Sequence, residues 1–258
     1  MRIGFVGSGN VAWHLAPALE NAGNSVVAVY SRSDKNAKAL TKRLYNAAVI
    51  SNPDFSSFEI DLIIISISDD ALELVAKELI IPENVIIVHT SGSKPLSVLA
   101  YLPTDQLGVF YPLQTFSKEK KIDFNEVPFL IESEEKEVNK KLEKLGKSIS
   151  KIVKMVHSDD RKSIHVAAVF ACNFTNHMLR ISNDLLKEHD LNFELLKPLL
   201  VETMNKALAI GPESAQTGPA RRHDFDLLEK HMQFLEEDSD RAEIYKLVSQ
   251  HIINTYSS

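Results

Sequence analysis

Cysteine is almost missing from this sequence of 258 residues. Cys172 stands alone, so no intrachain disulfide can form, and a reducing compartment is the expectation. Long apolar runs are missing too. The most apolar stretches, 60–67 and 85–88, fall far short of the roughly 20 residues a membrane-spanning helix needs. Nor is there an excess of positive charge: a net charge of −6 gives no electrostatic case for nucleic acid or an anionic membrane. No signal-peptide pattern, internal repeat or low-complexity segment is visible. With 44% hydrophobic and 25% charged residues, the expectation is a globular, cytoplasmic protein of one large or two ordinary domains.

What is present begins at once. Arg-Ile-Gly-Phe-Val runs into Gly7-Ser8-Gly9-Asn10-Val11-Ala12, and a helix-like pattern follows. In a strand–turn–helix unit Gly7 permits the tight turn and Gly9 lets the backbone approach a pyrophosphate. Ala12, third in G-x-G-x-x-G/A, lets helix and strand pack closely. The phosphates then face the free N–H groups at the positive end of the helix. Small residues are common in turns, so the order of elements carries more weight than the glycines.

The helix reads as 10–21, stopped by Gly23, with Pro17 predicting a kink or a shortening. Ser25–Tyr30 is a β-branched, buried strand. An acidic residue at its end would select NAD through the ribose 2′-hydroxyl; here Ser31-Arg32-Ser33 stands instead, which suits the 2′-phosphate of NADP. An ordinary polar loop is the plainer alternative. Further strands are expected at 47–50, 61–66, 85–90, 108–113, 127–131 and 150–155, with helices at 35–45, 71–79 and 134–147. The loop after 61–66 offers Ser66, Ser68 and Asp69 to a ribose or nicotinamide, with capping the plainer role for Asp70. The group after 85–90, with Thr90, Ser91, Gly92 and Ser93, falls where open α/β sheets bind ligands.

Beyond about residue 156 the pattern becomes wholly helical. A helix capped by Ser158 or Asp159 is expected to reach about His189, with others near 193–210, 223–237 and 239–256. The domains predicted are 1–156, an α/β doubly wound dinucleotide-binding unit, and 157–258, an all-helical unit. On the long helix His165, Val169, Asn173 and His177 recur at steps of four, and His165, Asn173 and His177 make a polar stripe in an apolar stretch, needing partners or a ligand. His165 and His177 stand too far apart to share a metal ion, and Cys172 reads as a small buried apolar residue. Thr217-Gly-Pro-Ala-Arg221-Arg222-His223-Asp224 sets arginines beside a rigid turn. Asp224 suits a helix cap, and one arginine suits a carboxylate or phosphate.

Taken together, Gly7–Ala12, Tyr30–Ser33, His89–Gly92, Phe110–Phe116, His165–Phe174 and Thr217–Asp224 resemble a Rossmann-like family whose C-terminal half is a helical domain of unknown function (DUF2520 type). That family sits in the superfamily of 6-phosphogluconate dehydrogenase, ketopantoate reductase and pyrroline-5-carboxylate reductase. The likeness covers essentially the whole chain and departs from the family pattern at Arg222-His223. It implies an NADP-binding oxidoreductase, dimeric through its helical domains, with a cleft between the halves. The reaction expected is reduction of a small, anionic carbonyl or imine compound. His165 is the expected acid/base, Asn173 the orienting group and Arg221 the carboxylate holder. The alternatives are a non-catalytic NADP-binding protein engaging a partner through its helices, pyrroline-5-carboxylate or ketopantoate reduction proper, and F420-dependent NADP reduction.

Overall fold

The computed structural model describes residues 1–257. Strands and helices alternate through the first part: β1 (Arg2–Val6), α1 (Asn10–Asn21), β2 (Ser25–Tyr30), α2 (Asp34–Thr41), β3 (Ala48–Ile50), β4 (Leu62–Ile65), α3 (Asp69–Glu78) and β5 (Ile86–His89). Then come β6 (Leu107–Pro112), β7 (Phe129–Glu132), α4 (Lys136–Lys147), β8 (Val153–Met155) and α5 (Ser158–Ala168). The strands form one eight-stranded sheet in the order β3-β2-β1-β4-β5-β6-β7-β8. All pairs are parallel except β6 with β7.

Alternation along the strands feeds two apolar layers. Ile3, Phe5, Leu62 and Ile64 join α1, α2 and α4 on one face. Val6, Ile63 and Ile65 join Leu72 and Val75 of α3 on the other. All of β4 is buried, as its unbroken apolar run requires of a central parallel strand. The β1–β4 junction, where the chain order reverses, is where such sheets open a crevice at the carboxyl ends of their strands.

Pro17 does not shorten α1, which runs its full twelve residues. The proline leaves the Trp13 carbonyl without its helical donor, and the Arg43 guanidinium donates to that oxygen instead, lying 4.2 Å over the Trp13 ring. Asp70 is not the cap of α3. Ser68 holds that position, with Asp69 and Asp70 in the first turn.

After α5 the helix winds as a π segment over Val169–Phe174, then continues as α6 (Thr175–Glu188). Its i→i+5 bonding means that steps of four no longer trace one face, so His165, Asn173 and His177 do not form the even stripe expected. Neither Ser158 nor Asp159 caps α5; His157 does, and the Ser158 hydroxyl is used elsewhere. Cys172 is exposed rather than buried. The remaining helices are α7 (Lys197–Ile210), α8 (Pro212–Ala215), α9 (Phe225–Phe234) and α10 (Ser239–Thr255). No helix of the described residues is long and apolar enough to cross a membrane.

The chain divides into two compact units, the first ending at Cys172 and the second starting at Asn173. The sequence pattern alone places the boundary near 156. α5 belongs with the sheet because Arg161, wholly buried, ties it to Glu132 at the end of β7. The second unit is thinly buried: of its described large and small apolar side chains, only Ala220, Leu228 and Leu235 count as buried.

Candidate functional site

The turn after β1 is shaped by Gly7. Its φ of +108° suits glycine alone, its N–H donates to the Tyr30 carbonyl at 2.7 Å, and a Cβ there would lie 2.3 Å from the Ser66 carbonyl oxygen. Gly9 is different. It begins α1 with φ −75°, and a Cβ would meet nothing closer than that oxygen at 4.0 Å. Neither backbone conformation nor a close neighbour demands glycine at 9, and the space above it is open. α1 has no side-chain cap, which leaves its first N–H groups facing outward. Ala12 is wholly buried and Val11 packs against the core, the close helix–strand contact expected of the motif.

Around this turn lies a cavity of about 360 Å³. Gly7, Ser8, Gly9 and Asn10 form its floor; Ser31, Arg32 and Ser33 line one side, Ser66 and Ser68 another. The Ser8 hydroxyl donates to Ser31 Oγ at 2.8 Å, and Ser33 caps α2 by accepting from Asn36 N at 3.3 Å. Among the described residues Arg32 has no ion-pair partner, so its charge stands ready for an anion. Lys118 also lines the cavity, a residue the sequence did not single out within Lys118-Glu-Lys-Lys121, which reads as a solvated charge run. The loop bearing it is strapped to α1: Asn10 donates to the Phe116 carbonyl at 3.0 Å, and His14 Nε2 meets the Ser117 carbonyl at 2.8 Å.

Thr90 and Ser91 are buried and do not line that cavity. Ser91 Oγ accepts from the Ser93 and Lys94 N–H groups and so shapes the turn after β5. Asp69 does reach this turn, accepting from the Ser93 hydroxyl. Beneath lies His89, wholly buried, its Nδ1 accepting from Ser91 N–H at 3.1 Å. The proton therefore sits on Nε2, which faces the Pro95 carbonyl without closing a bond of ordinary geometry. Burial, then the Arg161 charge, push its pKa from 6.5 down to about 3.

The sign of the consequence is fixed. Between those values the unfolded chain binds a proton that the folded chain refuses, so stability falls with acidification, by up to about 1.4 kcal/mol per pH unit for this group. His89→Asn keeps an acceptor for Ser91 N–H and cannot titrate. Urea midpoints measured from pH 7 to 4 should therefore fall less steeply in the variant than in the wild type; parallel slopes would contradict the assignment.

His165 also belongs to the first unit. Its Nδ1 lies 3.1 Å from the hydroxyl of Tyr111, the rings set edge to face at 71°. Burial, then the Asp69 charge, push the Tyr111 phenol up. One turn before His165, Arg161 Nη1 donates to Glu132 and Nη2 to the Lys94 carbonyl at 2.6 Å. The Ser158 hydroxyl donates to Glu132 at 2.8 Å and accepts from Leu96 N–H at 3.1 Å. The network clamps the start of α5 to the end of β7 and to the loop after β5, which fixes where His165 stands. Tyr111 lies inside the Phe110–Phe116 segment that carries the family resemblance, but nothing local in the sequence marks it, and the same holds for Glu132 and Arg161.

Asn173 and Arg221 lie in the second unit. Asn173 is exposed in the π segment. The Arg221 guanidinium rests 4.4 Å over the Tyr256 ring. Asp224 caps α9, accepting from Leu227 N–H at 3.2 Å, as the sequence suggests. His223 takes a left-handed conformation at φ 56° just before that cap.

Residues 1–113 match the Rossmann-like domain model, and residues 127–252 match the domain of unknown function DUF2520. The putative NADP oxidoreductase BF3122 of Bacteroides fragilis is 36% identical, over 98% of each chain, with a TM-score of 0.86. The chain belongs to this Rossmann-like, DUF2520-containing family. Protein TM1727 of Thermotoga maritima shares the fold at 20% identity and a TM-score of 0.79, over 99% of this chain and all of that one. The imine reductase of Myxococcus stipitatus, solved with NADP+, shares it at 14% identity and a TM-score of 0.64, over 100% and 93% of the two chains. No match is found among curated proteins.

Proposed function

We propose that this family member is an NADP(H)-dependent oxidoreductase that reduces a small, anionic carbonyl or imine compound. The observation that carries the reading is the cavity over Gly9: a glycine the protein itself does not need, an uncapped helix N-terminus and an unpaired arginine on one concave surface. That set fits a dinucleotide. Gly9 and the first N–H groups of α1 hold the pyrophosphate, with Lys118 supplying positive charge, and Arg32 with Ser31 and Ser33 receives the 2′-phosphate. The relative from Bacteroides fragilis carries NADP oxidoreductase in its name, which supports the same choice.

The nicotinamide supplies the hydride; the chain supplies position, a proton and exclusion of water. His165 is assigned the proton transfer, since an imidazole can both give and take a proton and this one is held in place by Tyr111. Asn173 is assigned the orientation of the reacting oxygen or nitrogen, and Arg221 the substrate carboxylate.

The test is a titration of the full chain with NADPH and NADH, followed by nicotinamide fluorescence. A hydrogen bond to a charged group is worth about 1.5–3 kcal/mol, so Arg32→Ala should weaken NADPH roughly 10- to 100-fold and hardly change NADH. Lys118→Ala should weaken both nucleotides alike. Binding of neither nucleotide to the wild type would overturn the oxidoreductase reading.

A homodimer is part of the proposal. Leu199, Val201, Met204 and Leu208 on α7 and Leu247 on α10 stand exposed, Leu208 at 81%, in a unit with hardly any buried apolar side chains. A cover this extensive must be present whenever the unit is folded and in equal number. A second copy of the chain meets both conditions. Sedimentation should give twice the 28.9 kDa chain mass, and Leu199→Glu with Leu208→Glu should give the single-chain mass and a lower melting temperature.

A further inference from the structure

We infer that Tyr111 is the positioning residue for His165: its hydroxyl occupies Nδ1, so that Nε2 is the nitrogen that exchanges the proton, and Gly92 is the steric condition for this pairing. The inference rests on the proton-transfer role given to His165 above and adds which atom acts and what holds it.

Three separate stretches converge on one ring atom. β6 brings the Tyr111 hydroxyl to 3.1 Å from His165 Nδ1. α5 brings the imidazole, fixed one turn earlier by the buried Arg161. The loop after β5 brings Gly92, where a Cβ would stand 2.6 Å from Nδ1 and 2.7 Å from Tyr111 Cζ. Contacts that short do not occur, so no residue with a side chain fits there without moving both rings. Gly92 is absent from the positive-φ positions, so its backbone does not call for glycine. The two rings do.

A phenol suits this place because its oxygen accepts a hydrogen bond from Nδ1–H while its own proton stays bound. When the imidazole is neutral, Nδ1 keeps its proton and donates it to the Tyr111 oxygen, which leaves Nε2 as the open acceptor. When the ring is charged, Nδ1–H donates to the phenol oxygen. During the step the Nε2–H bond breaks and its proton passes to the substrate oxygen or nitrogen whose carbon has received the hydride. The ring is left neutral with Nδ1–H still bonded to Tyr111, and Nε2 recovers a proton from water. No proton passes onto or off the phenol, whose pKa burial holds high.

The test needs no substrate. Full-length protein with [15N]histidine is studied by long-range 1H–15N correlation in the pH range where His165 is neutral, the resonances being assigned by their loss in His165→Gln. In the wild type the two His165 nitrogens should resonate far apart, the mark of one tautomer. In Tyr111→Phe they should move towards a common midpoint as the two tautomers mix. Gly92→Ala should produce the same convergence while the His14 and His89 signals stay in place, which shows the fold intact. Unchanged nitrogen shifts in Tyr111→Phe, or averaged shifts in the wild type, would overturn the inference. A wild type that binds no NADPH defeats the oxidoreductase reading and leaves the tautomer result standing, so the two failures are distinct.

Discussion

Arg161→Met should lower the stability of the first unit by about 3–5 kcal/mol, the usual result of removing one partner from a buried ion pair. Arg161 is wholly buried and Glu132 nearly so, and the arginine also holds the Lys94 carbonyl. Its removal strands a carboxylate among groups placed to receive a cation. The methionine fills most of the volume, so loss of packing does not dominate. Trp13 is the sole tryptophan and lies in α1, so its fluorescence during urea unfolding follows this unit. Adding Glu132→Gln removes the stranded charge and should restore a good part of the loss. A single-variant loss below about 1 kcal/mol would mean that water reaches the pair and that α5 is held by something else.

The second large effect concerns the two glycines of the first turn, which should fail in different ways. Gly7→Ala forces a side chain into φ +108° and against the Ser66 carbonyl, so the turn must shift. Strain of that kind costs on the order of 1–3 kcal/mol before the displaced β4 end is counted. Both melting temperature and NADPH affinity should fall. Gly9→Ala meets no protein atom closer than 4.0 Å at an ordinary φ, so stability should hold. Its methyl group enters the space assigned to the pyrophosphate, and NADPH affinity should fall at least tenfold. Thermal unfolding and nucleotide titration of the two variants separate the cases. If Gly9→Ala bound NADPH as tightly as the wild type, the cavity would not be the phosphate site.

The sheet was legible because its strands are short apolar runs divided by helical patterns, and β4, buried throughout, is the clearest example. Strand direction was not: periodicity carries no sign, and nothing in Phe129–Glu132 reveals that it runs against β6. Pro17 misled because its effect depends on Arg43, 26 positions on in the chain and outside any helical window, taking the freed carbonyl. Cys172 misled because an apolar stretch predicts burial, whereas this one stands exposed in the folded chain. The glycine turn and Ser31–Ser33 could be read because that chemistry is local. Tyr111 with His165 could not, being 54 residues apart and joined only by the fold.

The uneven burial of the two units also sets an order of events during synthesis. Once Cys172 has cleared the ribosome, every strand and both apolar layers of the sheet have been made, and that portion can fold while translation continues. The helices that follow emerge with few apolar neighbours of their own to bury against. If the proposed second copy is their cover, their folding waits on an encounter between finished chains and is second order in protein concentration. Refolding from denaturant should then show a fast phase seen by Trp13 that is indifferent to dilution, and a slower gain of helical signal that dilution delays.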